Sequence, residues 1–361
     1  MDRRSFLRTS ALGGTAAAAS TLAAPAYAQG NRTLTMVTSV PDGFAIFDDA
    51  ATMASNIITE MTDGALTIQK MPAGSLVGAF EVFDAVSSGQ ADIYHSAEYY
   101  FLNQHPAFAF YTSVPFGMTG VEMLAWYYHK GGKEQHHELA SLFNLKPFLA
   151  GNTAMQPGGW FNTEINSVED LQGLRFRMPG QGGQVLGVLG ASVQNIPGGE
   201  IYQALSSGQI DGAEWIGPFA DERMGFQEVT NIYYTSGFHE PGSALALSMN
   251  LDVWESLTPS QQRVVEVACE ATHANNLGLS WSENGAALAR LQAAGVQLRE
   301  FPDDVWDAFG RGAAEVREAN MSDPIYKDIA DSYFAALDEV SAWFSIGDGE
   351  FIRQRNRVNA G

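Results

Sequence analysis

Short stretches with two kinds of hydrophobic pattern follow one another through the first two thirds of the chain. Some change between apolar and polar at every residue or are apolar throughout, which is typical of strands, and these lie at 33–39, 66–69, 146–149, 154–161 and 174–178. Others place apolar residues on one side of a helix, and these lie at 44–62 and 184–189. Strands that alternate with helices predict an α/β fold with mostly parallel sheets covered on both faces.

A twelve-residue pattern occurs twice in the sequence. Residues 81–92 and 200–211 are identical at seven of twelve positions, and each copy contains a short helix that ends at a glycine, Gly89 or Gly208, before an apolar strand. The two copies are too far apart for a solenoid, whose repeats are about 20–50 residues long. The repeat therefore predicts two similar α/β domains side by side, with a chance match of common helix-ending residues as the alternative.

The last third of the chain has a helical pattern. Thr258 and Gln261 form a capping box, and helical spacing continues from there to a stop at Gly295. A helix of about 35 residues is roughly three times the mean length of about 11–12 residues. We therefore expect this helix to span both domains, with a break near Gly278 or Gly285 as the alternative.

The predicted organisation has five segments. Arg3 and Arg4, a weakly apolar stretch and Ala26-Tyr27-Ala28 resemble a twin-arginine export signal with its cleavage site, so the expected location is the bacterial periplasm. The apolar stripe of the final helix forms either core or a face for a partner, such as a second copy in a homodimer. The segments are a signal peptide at 1–28, α/β domain I at 29–150, α/β domain II at 151–250, a domain-spanning helix at 251–295 and C-terminal helices at 296–361.

Composition narrows the class of protein. A hydrophobic fraction of 45% excludes a largely disordered chain, and the single cysteine, Cys269, excludes an internal disulfide. A net charge of −21 argues against nucleic acid as a partner. The sequence contains no Gly-x-Ser-x-Gly and no His-Glu-x-x-His motif. We expect a binding protein rather than an enzyme, with an exported carboxylate-based hydrolase as the alternative.

The candidates for chemistry are polar residues that lie beside turns and large aromatic residues between positions 150 and 245. They are Gln156, Arg177, Glu214 with Trp215, and Glu240. Such surroundings are usual for a small-ligand pocket. Arg177 is physically the strongest candidate, because a guanidinium group can hold a carboxylate with two parallel hydrogen bonds. Taken singly, each of these residues has an ordinary surface or core role as its alternative.

The motifs around these residues resemble those of the solute-binding proteins of TRAP transporters. The likeness lies in Phe176-Arg177, in the stretch 198–215 and in the duplicated helix. The segment 156–160, together with Glu214-Trp215, is similar to the family's α-keto-acid-binding branch. The resemblance implies two α/β domains that close on a small 2-oxo or 2-hydroxy monocarboxylate, of the pyruvate or lactate type, and deliver it to a TRAP membrane permease.

The same resemblance implies a role for each candidate residue. It assigns substrate contacts to Gln156, Arg177 and Trp215, and contacts from the other domain to Tyr99 and Tyr100. It also implies Na⁺ or Ca²⁺ beside the substrate, held by Glu214, the Trp215 carbonyl and Glu240, and no organic cofactor. A dicarboxylate or a sugar acid, common in the wider family, is the alternative ligand.

The charges of the substrate and of these candidate residues support the prediction of a bound cation. The substrate carboxylate, Glu214 and Glu240 bring three negative charges, and Arg177 returns one positive charge. Carboxylates that share a site without a counterion raise one another's pKa. Ca²⁺ would make the set neutral and Na⁺ would leave one negative charge, and both ions prefer oxygen ligands. No thiolate is available here and His239 is the only imidazole nearby in sequence, so a transition metal is less favoured. The choice between Na⁺ and Ca²⁺ stays open at this point.

Overall fold

The computed structural model describes residues 31–359, so the predicted signal peptide lies outside the described residues. The predicted α/β class is confirmed, because two sheets are packed with helices. The strands are β1 (Arg32–Thr38), β2 (Leu66–Met71), β3 (Ile93–Ser96), β4 (Leu145–Asn152), β5 (Pro157–Phe161), β6 (Arg175–Arg177), β7 (Ser192–Gln194), β8 (Gly212–Ala213), β9 (Ile232–Ser236), β10 (Ala244–Asn250) and β11 (Gln297–Arg299). The first sheet has the strand order β2-β1-β3-β10-β4 and the second has the order β11-β9-β5-β8-β6-β7.

The helices connect these strands and make up most of the C-terminal third. They are α1 (Phe47–Met61), α2 (Val82–Ser87), α3 (Gly120–His129), α4 (Gly132–Ser141), α5 (Gly180–Val188), α6 (Ile201–Ser206), α7 (Pro218–Met224), α8 (Leu251–Glu255), α9 (Pro259–Ala293), α10 (Asp303–Asn320), α11 (Pro324–Phe344) and α12 (Glu350–Asn359). Within residues 31–359, no helix combines the length and the apolar character needed to cross a membrane.

The chain passes directly from one sheet to the other at two places. Residues 153–156 join β4 of the first sheet to β5 of the second, and residues 237–243 join β9 of the second sheet to β10 of the first. Strands β5 and β10 are antiparallel to both of their neighbours, so the expectation of mostly parallel sheets is too simple. A strand that arrives from the other sheet without a crossover helix is not obliged to run parallel to its neighbours.

The sheets do not coincide with the predicted linear segments. Ala244–Asn250 lies inside the segment 151–250 but pairs with β3 and β4 in the first sheet. Gln297–Arg299 lies inside the segment 296–361, predicted as helical, but pairs with β9 in the second sheet. An apolar run identifies a buried strand, but the sheet that it joins depends on contacts with residues far away in the sequence.

The long helix is continuous. Helix α9 has 35 residues, begins with the predicted capping box of Thr258 and Gln261, and passes through Gly278 and Gly285 without a break. It contacts α1 beside the first sheet and α7 beside the second. The Oδ1 atom of Asn284 accepts a hydrogen bond of 3.0 Å from the backbone nitrogen of Phe219, at the start of α7. The helix therefore packs against both halves of the molecule.

The sequence repeat is also a structural repeat. Gly89 and Gly208 follow α2 and α6 with φ angles of 79° and 70°, a conformation that glycine adopts without steric cost. The aspartate that ends each copy then accepts a backbone hydrogen bond from the adjoining strand, Asp92 from Thr35 at 2.7 Å and Asp211 from Arg175 at 2.9 Å. Because these contacts are the same in both copies, the repeat reflects equivalent local structure in the two sheets.

The apolar residues of the final helices fall into two groups. Tyr333 is fully buried and its hydroxyl accepts a hydrogen bond of 2.6 Å from the backbone nitrogen of Met118, so this part of α11 belongs to the core. After Phe344 the helix continues through a π-helical turn, Ser345–Gly349, into α12. Here Trp343, Ile346 and Phe351 are 69%, 70% and 64% exposed.

Candidate functional site

Arg177 ends β6 with its side chain only 1% exposed. Its Nε donates a hydrogen bond to the carbonyl oxygen of Ile196 at 3.0 Å, and its Nη1 donates to the carbonyl oxygen of Glu214 at 2.9 Å. Nη1 also forms an ion pair with the Glu214 carboxylate. These contacts hold the guanidinium in one orientation and leave Nη2 available to a ligand.

Glu214 follows β8 and is completely buried. Its Oε2 atom lies 3.6 Å from Nε2 of His239. Burial raises the pKa of Glu214 to about 8, although the charge of Arg177 lowers it and the charge of Asp221 raises it further. A buried carboxylate with so high a pKa is a group that a cation would stabilise strongly.

Glu240 lies on the segment 237–243 that crosses between the sheets. It is 2% exposed, and its Oε2 accepts a hydrogen bond from the Ser243 hydroxyl. Burial, followed by the charge of Glu214, raises the pKa of Glu240 to about 7. Burial lowers the pKa of the neighbouring His239 to about 4, so its imidazole is neutral near pH 7. Ligand atoms of Glu214, His239 and Glu240 all lie within 4.8 Å of one another.

Gln156 lies on the other crossing segment and is also buried. Its backbone nitrogen donates to the carbonyl oxygen of Glu240 at 3.0 Å, and its own carbonyl oxygen accepts from Gly237 at 3.0 Å. The two crossing segments therefore run side by side and bring Gln156 next to Glu240. The Nε2 atom of Gln156 donates to the Thr153 hydroxyl at 3.0 Å.

Trp215 links the cluster formed by Arg177, Glu214, His239 and Glu240 to the half of the molecule that contains the first sheet. Its ring is 4% exposed and lies parallel to Phe47, with ring centroids 6.0 Å apart and planes 16° apart. Phe44 meets the same ring edge-on at 6.1 Å, and the Arg177 guanidinium carbon lies 5.4 Å from its centroid. A β-carbon on residue 198 would come within 2.3 Å of the indole, so the position of the Trp215 ring requires a glycine at residue 198.

Tyr99 and Tyr100 reach the site from the first half of the molecule. They lie in the 3₁₀ turn Glu98–Phe101 after β3 and are 5% and 7% exposed. Burial raises the pKa of Tyr100 to about 12, with the charge of Arg177 opposing this rise. Both tyrosines also line a cavity of about 610 Å³ between the two halves, together with residues that include Met178 and Asn195.

The buried cluster keeps several polar atoms without a hydrogen-bond partner among residues 31–359. They are Nη2 of Arg177, Oε2 of Glu214, Oε1 of Glu240, Oε1 of Gln156, Nε1 of Trp215 and both ring nitrogens of His239. Nearly all buried polar atoms in native proteins are paired, so a concentration of unpaired ones indicates a place where a ligand binds. Two carboxylate oxygens beside an arginine nitrogen fit a cation together with a carboxylate anion.

Most of the cluster could be predicted from the sequence, and two parts of it could not. The predicted residues Gln156, Arg177, Glu214, Trp215 and Glu240 lie in one buried region, which Tyr99 and Tyr100 approach from the other half. His239 was not predicted as a member, although its place before Glu240 was a signal. Phe44 and Phe47 gave no signal, because their contact with Trp215 joins distant parts of the chain.

Comparison with known proteins identifies the family. The family described as bacterial extracellular solute-binding protein, family 7 (DctP), matches residues 36–322. The chain belongs to this family. The resemblance predicted from sequence is thereby confirmed, and the family consists of solute-binding proteins rather than enzymes.

The relatives of this family 7 protein include one that is named for its ligand class. A monocarboxylate 2-oxoacid-binding periplasmic protein from Nostoc sp. is 38% identical over 314 residues, which cover 87% of this chain and 86% of the relative.

Solved structures of related TRAP periplasmic solute-binding proteins match nearly the whole fold. The protein from Pseudoalteromonas atlantica, with bound sodium and pyruvate, is 36% identical with a TM-score of 0.87, over 90% of this chain and 99% of that chain. The protein from Bordetella bronchiseptica, a mixed-occupancy dimer with copurified calcium and picolinate in one site, is 32% identical with a TM-score of 0.89, over 91% of this chain and 98% of that chain.

Proposed function

We propose that this family 7 protein captures a small 2-oxo or 2-hydroxy monocarboxylate, of the pyruvate or lactate type, together with Na⁺ or Ca²⁺. The observation that carries this proposal is the buried cluster in which an arginine nitrogen and two carboxylate oxygens have no partner within the described chain. The 2-oxoacid-binding relative and the pyruvate-bound structure support the ligand class. The sodium in one related structure and the calcium in another support the cation.

Arg177 and Gln156 bind the ligand carboxylate in this proposal. Hydrogen bonds from Nε and Nη1 fix the guanidinium of Arg177, and its Nη2 atom can donate to the ligand. Gln156 uses one amide hydrogen for Thr153 and has a second for the ligand. Trp215 forms an apolar wall, and Tyr99 and Tyr100 close the site from the other half.

Glu214, the Trp215 carbonyl and Glu240 hold the cation. The bound cation offsets negative charge on the two carboxylates, and the keto or hydroxyl oxygen of the ligand coordinates it as a further donor. This selects acids that carry an oxygen on the carbon next to the carboxylate. Succinate lacks that oxygen, and the second carboxylate of any dicarboxylate would add a negative charge to an already acidic site.

Ligand binding is coupled to transport through closure of the two halves. The two sheets form the lobes, and the crossing segments 153–156 and 237–243 act as hinges, because each joins a strand of one sheet to a strand of the other. The closed protein then delivers its ligand to the membrane permease of a TRAP transporter. Export through the twin-arginine route to the periplasm is consistent with Arg3-Arg4 and with the extracellular family.

Pairing of two copies through the C-terminal helices is part of the same proposal. Trp343, Ile346 and Phe351 expose apolar side chains that a second copy would cover. The dimer recorded for the Bordetella relative supports such an arrangement.

Calorimetric titration tests the binding function. Mature protein is unfolded, refolded and dialysed to remove any copurified ligand, and is then titrated with pyruvate, 2-oxobutyrate, lactate and succinate, with and without EDTA and Na⁺. One-to-one binding of a 2-oxo or 2-hydroxy monoacid that requires a cation is the expected result. Preference for succinate, or binding independent of any cation, would contradict the proposal, and turnover of a titrated acid would favour an enzyme.

A further inference from the structure

Ile46 occupies a strained backbone conformation next to the site. Its φ and ψ angles are 71° and −55°, and the backbone nitrogen of Phe47 donates to the carbonyl oxygen of Ala45 at 2.9 Å. These values define a γ-turn of the rare, strained kind, and a β-branched side chain makes the positive φ more costly. Such a conformation persists only where the surrounding structure holds it, and it is found mostly at functional sites.

One side chain from the middle of α9 holds this turn. The Nδ2 atom of Asn276 donates to the carbonyl oxygen of Ile46 at 2.9 Å. Its Oδ1 atom accepts from the backbone nitrogen of Asn152, at the end of β4, at 2.8 Å. The Oδ1 atom of Asn152 in turn accepts from Ala154 at 2.8 Å, and Ala154 also has a positive φ, of 60°. Asn276 is 2% exposed and uses both ends of its amide.

Each segment that Asn276 holds continues into the site. Phe47, directly after Ile46, is the residue whose ring lies parallel to Trp215 across the two halves. Gln156 follows Ala154 by two residues, on the crossing segment beside Glu240. A single buried amide thus connects to the aromatic contact between the halves and to a proposed ligand of the substrate carboxylate, without touching either.

We propose that Asn276 is a positioning residue that holds the Ile46 turn and the 152–156 segment in the geometry of the closed, ligand-bound protein. This inference takes its ligand, a 2-oxo acid, from the proposed function, whereas the hydrogen bonds of Asn276 do not depend on that function. In this role Asn276 aligns Phe47 on Trp215 and Gln156 on the substrate. Loss of its two hydrogen bonds lets the turn relax, and the contact between the halves is lost with it.

The test compares Asn276→Leu with Asn275→Leu, because Asn275 is the adjacent residue of the same type and is exposed. We expect Asn276→Leu to weaken pyruvate binding in the presence of Ca²⁺ at least tenfold while the protein remains folded by circular dichroism. Asn275→Leu should bind like wild type. Asn276→Asp, which keeps the acceptor for Asn152 but faces the Ile46 carbonyl with an oxygen, serves as a second variant if Asn276→Leu does not fold.

A double-mutant cycle separates positioning from general destabilisation. Phe47→Leu alone should weaken pyruvate binding. Adding Asn276→Leu should weaken it by a smaller factor than Asn276→Leu does in wild type, because the contact between Phe47 and Trp215 is already lost and only the alignment of Gln156 is still affected. Independent, multiplying losses would overturn the positioning role, as would wild-type affinity in both Asn276 variants.

Small-angle scattering provides a reading that does not depend on the ligand. The contact between Phe47 and Trp215 joins the halves without any ligand atom, so it should keep part of the ligand-free wild-type population closed. Ligand-free Asn276→Leu and Phe47→Leu should therefore share an increased radius of gyration relative to wild type and Asn275→Leu. If wild-type protein binds no 2-oxo acid, the proposed function fails, yet the scattering comparison still decides the role of Asn276. An unchanged radius in both variants would overturn it.

Discussion

Two buried glutamates of this protein have opposite surroundings. Glu98 and Glu214 are both completely shielded from solvent, and each lies within ion-pair distance of a histidine. Glu98 accepts hydrogen bonds from the Tyr94 hydroxyl at 2.7 Å and from Nε2 of His136 at 2.5 Å, so both of its oxygens are used. The other nitrogen of His136 contacts the Tyr127 hydroxyl at 3.2 Å, and the Tyr111 ring stacks on the imidazole.

Glu214 shares its histidine with a second carboxylate and keeps an oxygen that has no partner in the part of the chain that the structure describes. The comparison teaches that a buried acid is not by itself evidence of a site. A buried polar network in which every atom is paired stabilises one structure, whereas one with unpaired atoms is costly unless something binds to it. Both oxygens of Glu98 and both ring nitrogens of His136 are paired, so this pair is structural, whereas the Glu214 cluster is the binding site that we propose.

The largest effect is expected from Arg177→Lys. The ammonium group of lysine cannot reproduce the planar guanidinium, which binds Glu214 through Nη1 and leaves Nη2 to bind the ligand. The affinity for pyruvate should therefore fall at least roughly 100-fold, which corresponds to about 3 kcal/mol. Arg175→Lys is the matched control, since Arg175 lies on the same strand but is exposed and paired with Asp211 at the surface. If calorimetry gives equal pyruvate affinities for the two variants, Arg177 does not bind the ligand.

Cation removal should next distinguish Glu98 from Glu240, the second carboxylate of the Glu214 cluster. In the presence of pyruvate, Ca²⁺ at about 100 times its dissociation constant should raise the free energy of unfolding by about 2.7 kcal/mol. Chelation with EDTA should abolish this gain in wild type. Glu98→Gln should keep the gain and Glu240→Gln should lose it, as followed by urea unfolding. A gain with Na⁺ but none with Ca²⁺ would identify sodium as the ion.

The same two variants should differ in intrinsic stability. Without ligand and cation, Glu98→Gln should lower the free energy of unfolding by about 2 kcal/mol, because His136 and Tyr94 lose a charged acceptor. Glu240→Gln should change it by less than about 1 kcal/mol, because the pKa of Glu240 is raised by burial and by Glu214. A large loss in Glu240→Gln would make that cluster structural as well.

The smallest effect concerns a buried histidine that forms a hydrogen bond with a backbone carbonyl oxygen and, within residues 31–359, with no acid. His95 contacts the carbonyl oxygen of Ala150 at 2.9 Å, and burial lowers its pKa to about 4. The unfolded chain, with a pKa of about 6.5, binds the proton more readily, so this contribution to stability is complete above that pH and is lost as the pH falls toward 4. Between pH 7.5 and 5.5 the loss should be about 1 kcal/mol.

Urea unfolding of wild type and His95→Gln at both pH values measures this contribution. The variant should lose less stability on acidification than wild type. An identical pH dependence would show that other groups carry the whole effect, among them His273, whose pKa burial also lowers to about 4.

Local patterns determined much of the molecule before any contact was known. The capping box at Thr258 and the spacing up to Gly295 predicted the long helix, and the repeated pattern predicted equivalent turns at Gly89 and Gly208. Arg177 and Glu214 could be chosen because each stands where a strand ends beside a turn or an aromatic residue. These features depend on neighbours within a few residues, which is the range over which hydrophobic period and turn residues act.

Only the tertiary structure decided the remaining features. Ala244–Asn250 is an ordinary apolar strand in sequence, and its place in the first sheet follows from pairing with β3 and β4. Asn276 is one polar residue in a long helix until the fold brings it to Ile46, 230 positions earlier. Whether Glu98 or Glu214 keeps a free oxygen depends on which distant donors reach it. Hydrogen bonds between such distant residues leave no period or local motif in the sequence, so the local pattern proposes candidate residues and the packing decides which of them remain free to bind.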